Sequence, residues 1–133
     1  MPPEAPQAGS PADWLRHARA DLALAQQATH AQLLELLCFH AQQACEKSLK
    51  AVLVQFGTSV PKTHNIQMLL RLVAANCTVP TELMACSQLT DYAVTTRYPG
   101  VYEPVTDADY KEAVEQADGV VCWAERAIAA KPS

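Results

Sequence analysis

The chain has no run of about 18 apolar residues, so no stretch is suited to cross a membrane as a helix. Its N-terminus lacks a charged segment followed by an apolar one, so no secretory signal is expected. It also lacks any Cys-x-x-Cys pair. The five cysteines, Cys38, Cys45, Cys77, Cys86 and Cys122, are odd in number and scattered. That excludes a disulfide frame or a zinc site and implies reduced, small core residues in a cytoplasmic protein. Glycine occurs only four times, and none of it forms a phosphate-cradling loop. Charged residues make up only 18%, and the net charge is -4, so a general nucleic-acid coat or an anionic membrane is not the default partner. No stretch alternates apolar and polar residues, which removes the main signal for strands.

What is present is an alanine- and leucine-rich chain of 133 residues, half of them hydrophobic. That length fits one domain, and that composition fills a core of packed helices. Residues 1–10 hold three of the nine prolines and read as a disordered tail, with a helical domain over 11–130. Ser10 caps a first helix that opens on Pro11 and runs to about His30. Its apolar stripe is Trp14, Leu15, Ala18, Leu22, Ala25 and Ala28, with Arg16, Arg19, Asp21 and Gln26 elsewhere on the wheel. A second helix runs from about Gln32 to Phe56 and stops at Gly57. Thr63 is expected to cap a short third helix through Ile66, Met68, Leu69, Leu70, Leu72 and Val73. Pro80 opens a fourth, through Leu83, Met84, Cys86, Leu89, Tyr92 and Ala93, which stops before Tyr98-Pro99-Gly100. Thr106 and Asp109 open a fifth that reaches about Ala130. The expected architecture is all-α: an antiparallel, up-and-down bundle of four long helices plus a short one.

The second helix carries the chemistry. His40, Gln43, Lys47 and Lys50 share one side of it, with Glu46 at the edge and an apolar stripe alongside. Such a row is either a solvated face or a satisfied polar network at an interface.

Phe39-His40-Ala41-Gln42-Gln43-Ala44-Cys45-Glu46-Lys47-Ser48-Leu49-Lys50-Ala51 resembles the signature helix of HEPN domains (higher eukaryotes and prokaryotes nucleotide-binding). Thr63-His64-Asn65-Ile66 resembles the segment that opens that family's next helix. Leu89-Thr90-Asp91-Tyr92, followed by Thr96-Arg97-Tyr98-Pro99-Gly100, resembles its tyrosine and Arg-Tyr-Pro turn. The resemblance covers about Trp14 to Ala127 and implies a helical bundle that commonly dimerises. It also implies relatives encoded beside a small nucleotidyltransferase, some of them as toxin–antitoxin pairs. Many HEPN proteins are metal-independent ribonucleases with an Arg followed after about four to six residues by a His. Here Arg97 is followed by Tyr98-Pro99-Gly100-Val101-Tyr102-Glu103-Pro104-Val105, without a histidine. No catalytic residue is therefore assigned.

Three readings stand beside one another. The first is a HEPN module that binds a nucleotide or a nucleotidyltransferase partner. Lys47, Lys50, His64, Arg97 and Tyr98 are its candidate ligand contacts, because cations and a helix start suit phosphates and a tyrosine can stack on a base. The second is a non-standard, metal-independent endoribonuclease, with Arg97 as the phosphate cation and His64 or His40 as proton carrier. The third is a structural or interaction protein whose polar network joins His40, Gln43, Glu46, Asp91 and Tyr92, with Arg97 or a lysine neutralising Glu46. The helix has no His-x-x-x-His or Glu-x-x-His pattern, so neither metal nor cofactor is expected.

Overall fold

A computed structural model of the chain describes residues 6–27, 33–95 and 104–130. The first five residues of the expected tail and the Arg97–Tyr98 turn lie outside the described residues, and the first helix stops at Ala25, with Gln26 as its C-cap, short of the expected His30. The described residues hold helices and no strand. They comprise α1 (Pro11–Ala25), α2 (Leu34–Gln55), α3 (Ile66–Ala74), a 3₁₀ helix (Thr81–Asp91) running into α4 (Tyr92–Thr95), and α5 (Asp107–Ala130).

The ends of these helices follow local chemistry. Ser10 accepts a hydrogen bond from the Asp13 N–H, and Asp13 accepts one in return from the Gly9 N–H. Thr106 and Asp109 do the same at the start of α5, each bond 3.0 Å long. α2 ends where Gly57 turns to φ +72°. There the Thr58 N–H reaches back to Leu53 and the Gly57 N–H to Val54, which satisfies carbonyls the helix leaves open. The cap of α3 is Asn65, whose side chain accepts from the Met68 N–H, and not the expected Thr63. Thr63 sits two residues back and accepts from the Asn65 N–H, because the helix starts at Ile66.

α2 is the axis of the molecule and packs against every other element. α1 runs antiparallel to it, since Trp14 lies near Lys50 while Asp21 meets His40. α1 is also antiparallel to α5: Arg19 bonds Glu125 near one end, and the Tyr110 hydroxyl donates to the Ala25 carbonyl at the other. Small residues line these contacts. Ala18, Ala25, Ala41, Ala44, Ala117 and Ala124 are wholly buried and let the helices approach closely. Leu49, Val52, Leu53, Ile66, Leu69 and Val120 fill the space between them.

The fourth expected helix is present but wound as a 3₁₀ helix. Its core-facing residues Leu83, Cys86 and Leu89, and Tyr92 at the start of α4, recur at steps of three. An α-helix falls about 60° short of a full turn over three residues, so it would rotate this set off the core. Roughly three residues per turn keeps all four in line. Gly119 of α5 faces this helix, where a Cβ would stand 3.4 Å from the Leu83 side chain.

Cys38, Cys45 and Cys86 are free, buried thiols, as expected of small core residues. Cys77 is half-buried and Cys122 is exposed, so the core reading does not extend to Cys122. No helix among the described residues is long and apolar enough to cross a membrane.

Candidate functional site

α2 carries its polar row between two elements, and the row divides. His40 and Lys47, seven residues apart, turn towards α1. Glu46 turns towards the segment that opens α3, where it meets His64, and Gln43 and Lys50 of the same helix bond to Glu46.

On the α1 side both groups meet one carboxylate. His40 Nδ1 lies 3.0 Å from Asp21 Oδ1, and Lys47 Nζ donates to Asp21 Oδ2 over 2.6 Å. Asp21 is buried, contrary to its expected place away from the apolar stripe. A signal existed: seven residues separate it from Trp14, four from Ala25 and three from Ala18, which puts it in the middle of that stripe. An acidic residue there needs a partner, and α2 supplies two.

On the α3 side the centre is Glu46, only 3% exposed. Its Oε2 accepts from Lys50 Nζ at 2.9 Å. Its Oε1 accepts from Gln42 Nε2 at 3.0 Å and lies 2.7 Å from His64 Nδ1. Gln43 Nε2 donates to Gln42 Oε1 at 2.7 Å and lies 3.5 Å from Glu46. Burial pushes the Glu46 carboxyl up. The hydrogen bonds from Lys50, His64 and Gln42 and the Lys50 charge outweigh that and hold it below its ordinary value. Glu46 is therefore ionised and can only accept, so His64 Nδ1 carries a proton. The ring's other nitrogen, Nε2, has no hydrogen bond among the described residues, and the His64 side chain is 58% exposed.

Lys50 is itself buried, with its ammonium 5.7 Å from the Trp14 ring centre. Neither Lys47 nor Lys50 is a free surface cation, since each is bonded to a carboxylate. The exposed end of the cluster is the His64 imidazole.

The other expected members of the network stand apart from it. Asp91 is exposed at the end of the 3₁₀ helix. Tyr92 is half-buried against the core, near Cys38. Burial there pushes the Tyr92 hydroxyl up to about 12 and the Cys38 thiol up to about 11. Glu46 is neutralised by a lysine, the second of the two partners expected for it. Thr90, beside Asp91, does join the site's frame: its hydroxyl accepts from the Ile66 N–H at 3.0 Å and ties the 3₁₀ helix to the start of α3. Gln42, Asp21 and Thr90 are the members of this frame that sequence reasoning missed. Among the described residues no group of His, Cys, Asp and Glu has the arrangement of a metal site.

The comparisons with known proteins agree with this fold. No curated protein matches the chain. The protein TT1696 from Thermus thermophilus superposes with a TM-score of 0.79 at 30% identity, covering 90% of this chain and 98% of that one. ST0689, described as an archaeal HEPN homologue, superposes with a TM-score of 0.72 at 29% identity, with the same coverage. The sequence model of the HEPN domain matches residues 11–127, from the first turn of α1 almost to the end of α5. Motif order, helix packing and this match over most of its length agree that the chain belongs to the HEPN domain family.

Proposed function

We propose that this HEPN protein is a nucleotide-binding module, working as a homodimer beside a small nucleotidyltransferase in a regulatory or toxin–antitoxin-like role. The observation that carries the binding reading is His64: an exposed imidazole whose Nδ1 is held by a buried, ionised glutamate, so that Nε2 is presented in one orientation. α3 starts two residues later, and its N-terminal dipole favours a phosphate there. Lys50 behind Glu46 keeps the cluster from being net negative. Arg97 and Tyr98 are the proposed further contacts, for phosphate and base. Support for the dimer comes from Leu33 and Leu36, 58% and 47% exposed at the start of α2.

Calorimetric titration with ATP and AMP tests the pocket. Wild type should bind more tightly than about 1 mM, and His64→Ala should lose most of the heat. Absence of heat in wild type sinks the reading. Incubation with a structured RNA in EDTA tests the competing ribonuclease reading. Cleavage that disappears in His64→Ala or Arg97→Ala would replace binding by catalysis. Light scattering at tens of micromolar should report a dimer, and a monomer would remove that part.

A further inference from the structure

We propose that His64 is a phosphoryl-acceptor site, whose Nε2 takes a phosphoryl group from a small donor with a good leaving group, an acyl phosphate or a phosphoramidate. A histidine accepts such a group when one nitrogen is exposed with its lone pair free and the other is held by a carboxylate that stabilises the imidazolium formed. Among the described residues His64 Nε2 makes no hydrogen bond, and Nδ1 is held by a carboxylate. The His64 side chain is 58% exposed, and Nδ1 lies 2.7 Å from Glu46 Oε1. Glu46 cannot swing away, because Lys50 and Gln42 hold its two oxygens from the buried side.

The other described histidines differ. The His17 Nε2 lies 3.4 Å from the Arg16 guanidinium and 3.8 Å from Asp13, so the nitrogen that should attack is already occupied. His40 has its Nδ1 on Asp21, but Lys47 shares that carboxylate and the His40 side chain is only 32% exposed. The new negative charge at His64 would also lie near the start of α3. There the Ile66 and Met68 N–H groups are bonded to Thr90 and Asn65, while the Gln67 N–H has no acceptor among the described residues.

The step balances without a further reactant. With zwitterionic phosphoramidate, the Nε2 lone pair forms a bond to phosphorus. The phosphorus–nitrogen bond breaks, and its electron pair leaves with neutral ammonia. The imidazolium keeps its Nδ1 proton, and its charge is met by Glu46.

The test incubates the full chain with potassium phosphoramidate at neutral pH. The adduct is followed by phosphorus NMR and by peptide mapping under neutral conditions. His64 should be modified at Nε2 at least about tenfold faster than His17, His30 or His40 in the same molecule. His64→Ala should leave only the slow background, and Glu46→Gln should slow the His64 adduct by about tenfold with the folded spectrum intact. Equal rates across the histidines, or an Nδ1 adduct on His64, would overturn the proposal. The comparison within wild type needs no variant, so a destabilised Glu46→Gln protein does not shield the idea. The proposal stands apart from the binding reading: a His64 adduct in a protein that gives no heat with ATP or AMP rejects binding and keeps the acceptor site, and the opposite result does the reverse.

Discussion

Glu46 and His64 share a hydrogen bond, yet their removal should have very different effects. Glu46→Ala leaves the Lys50 ammonium buried without its counter-charge, a change that costs about 3–5 kcal/mol. His64→Ala removes an exposed partner and leaves Glu46 its bonds to Lys50 and Gln42, so it should cost under about 1 kcal/mol. Urea unfolding of the two variants against wild type measures both, and equal losses would show that the network does not centre on Glu46. The same carboxyl gives a pH dependence. Its folded value lies below the ordinary 4.5, so the unfolded chain holds that proton more tightly. The stability it contributes is complete above that ordinary value and is lost as pH falls through the lower folded one. Wild type should therefore lose more stability than Glu46→Gln between neutral pH and the acid range, and parallel losses would contradict the assignment. At this scale much of the site was legible. A glutamate and a lysine four residues apart on an apolar helix flank announce a pair. What the α2 row did not reveal was its division, because a helical wheel says which residues share a side and not which neighbour each meets. Asp21 was readable, lying among Trp14, Ala18 and Ala25, but a single acidic residue on an alanine-rich helix is easily assigned to solvent.

Between residue and fold lies the 3₁₀ helix, whose apolar residues Leu83, Cys86 and Leu89, continued by Tyr92 of α4, set its winding. It rests on α5 at Gly119, a helical glycine with nothing nearer to its missing Cβ than the flexible end of Leu83, at 3.4 Å. Gly119→Ala should therefore stabilise the protein by about 0.5–1 kcal/mol, the usual gain when alanine replaces glycine inside a helix without a clash. A higher urea midpoint at unchanged slope would confirm it. A destabilised variant would mean that the 3₁₀ helix and α5 approach more closely than their side chains suggest. The pattern for this element was also in the sequence. Leu83, Cys86, Leu89 and Tyr92 at steps of three fit a three-residue turn better than an α-helix, but Met84 and Ala93 beside them blur that step, and an apolar run starting from a proline invites the commoner assignment. Most α-helix ends gave no such difficulty, because Ser10 and Thr106 cap with side-chain oxygens and Gly57 supplies the positive φ that ends α2. The cap at Asn65 was missed for want of any local rule to choose between two capping residues two positions apart.

For the whole molecule, the feature to explain is that one helix, α2, supplies both the core and the polar site. Its apolar stripe includes Cys38 and Cys45, and the 3₁₀ helix adds Cys86 against the same core. These three thiols report on the packing of the entire bundle. Burial raises the Cys38 thiol to about 11 and takes Cys45 well above its ordinary value, so neither offers thiolate to a reagent at neutral pH. Cys77 is half-buried, and Cys122 is exposed on α5 beside Asp118. Treatment of the reduced native protein with an aromatic disulfide reagent should modify Cys122 first and Cys77 more slowly. Cys38, Cys45 and Cys86 should react together, at the rate of global unfolding, because no smaller opening exposes residues from α2 and the 3₁₀ helix at once. In urea all five should react without distinction. If Cys86 reacted well before Cys38 and Cys45, the 3₁₀ helix would be a separate, weaker unit. The tie from Thr90 to the start of α3 would then fail to hold it, and the frame that presents His64 would open without unfolding the bundle.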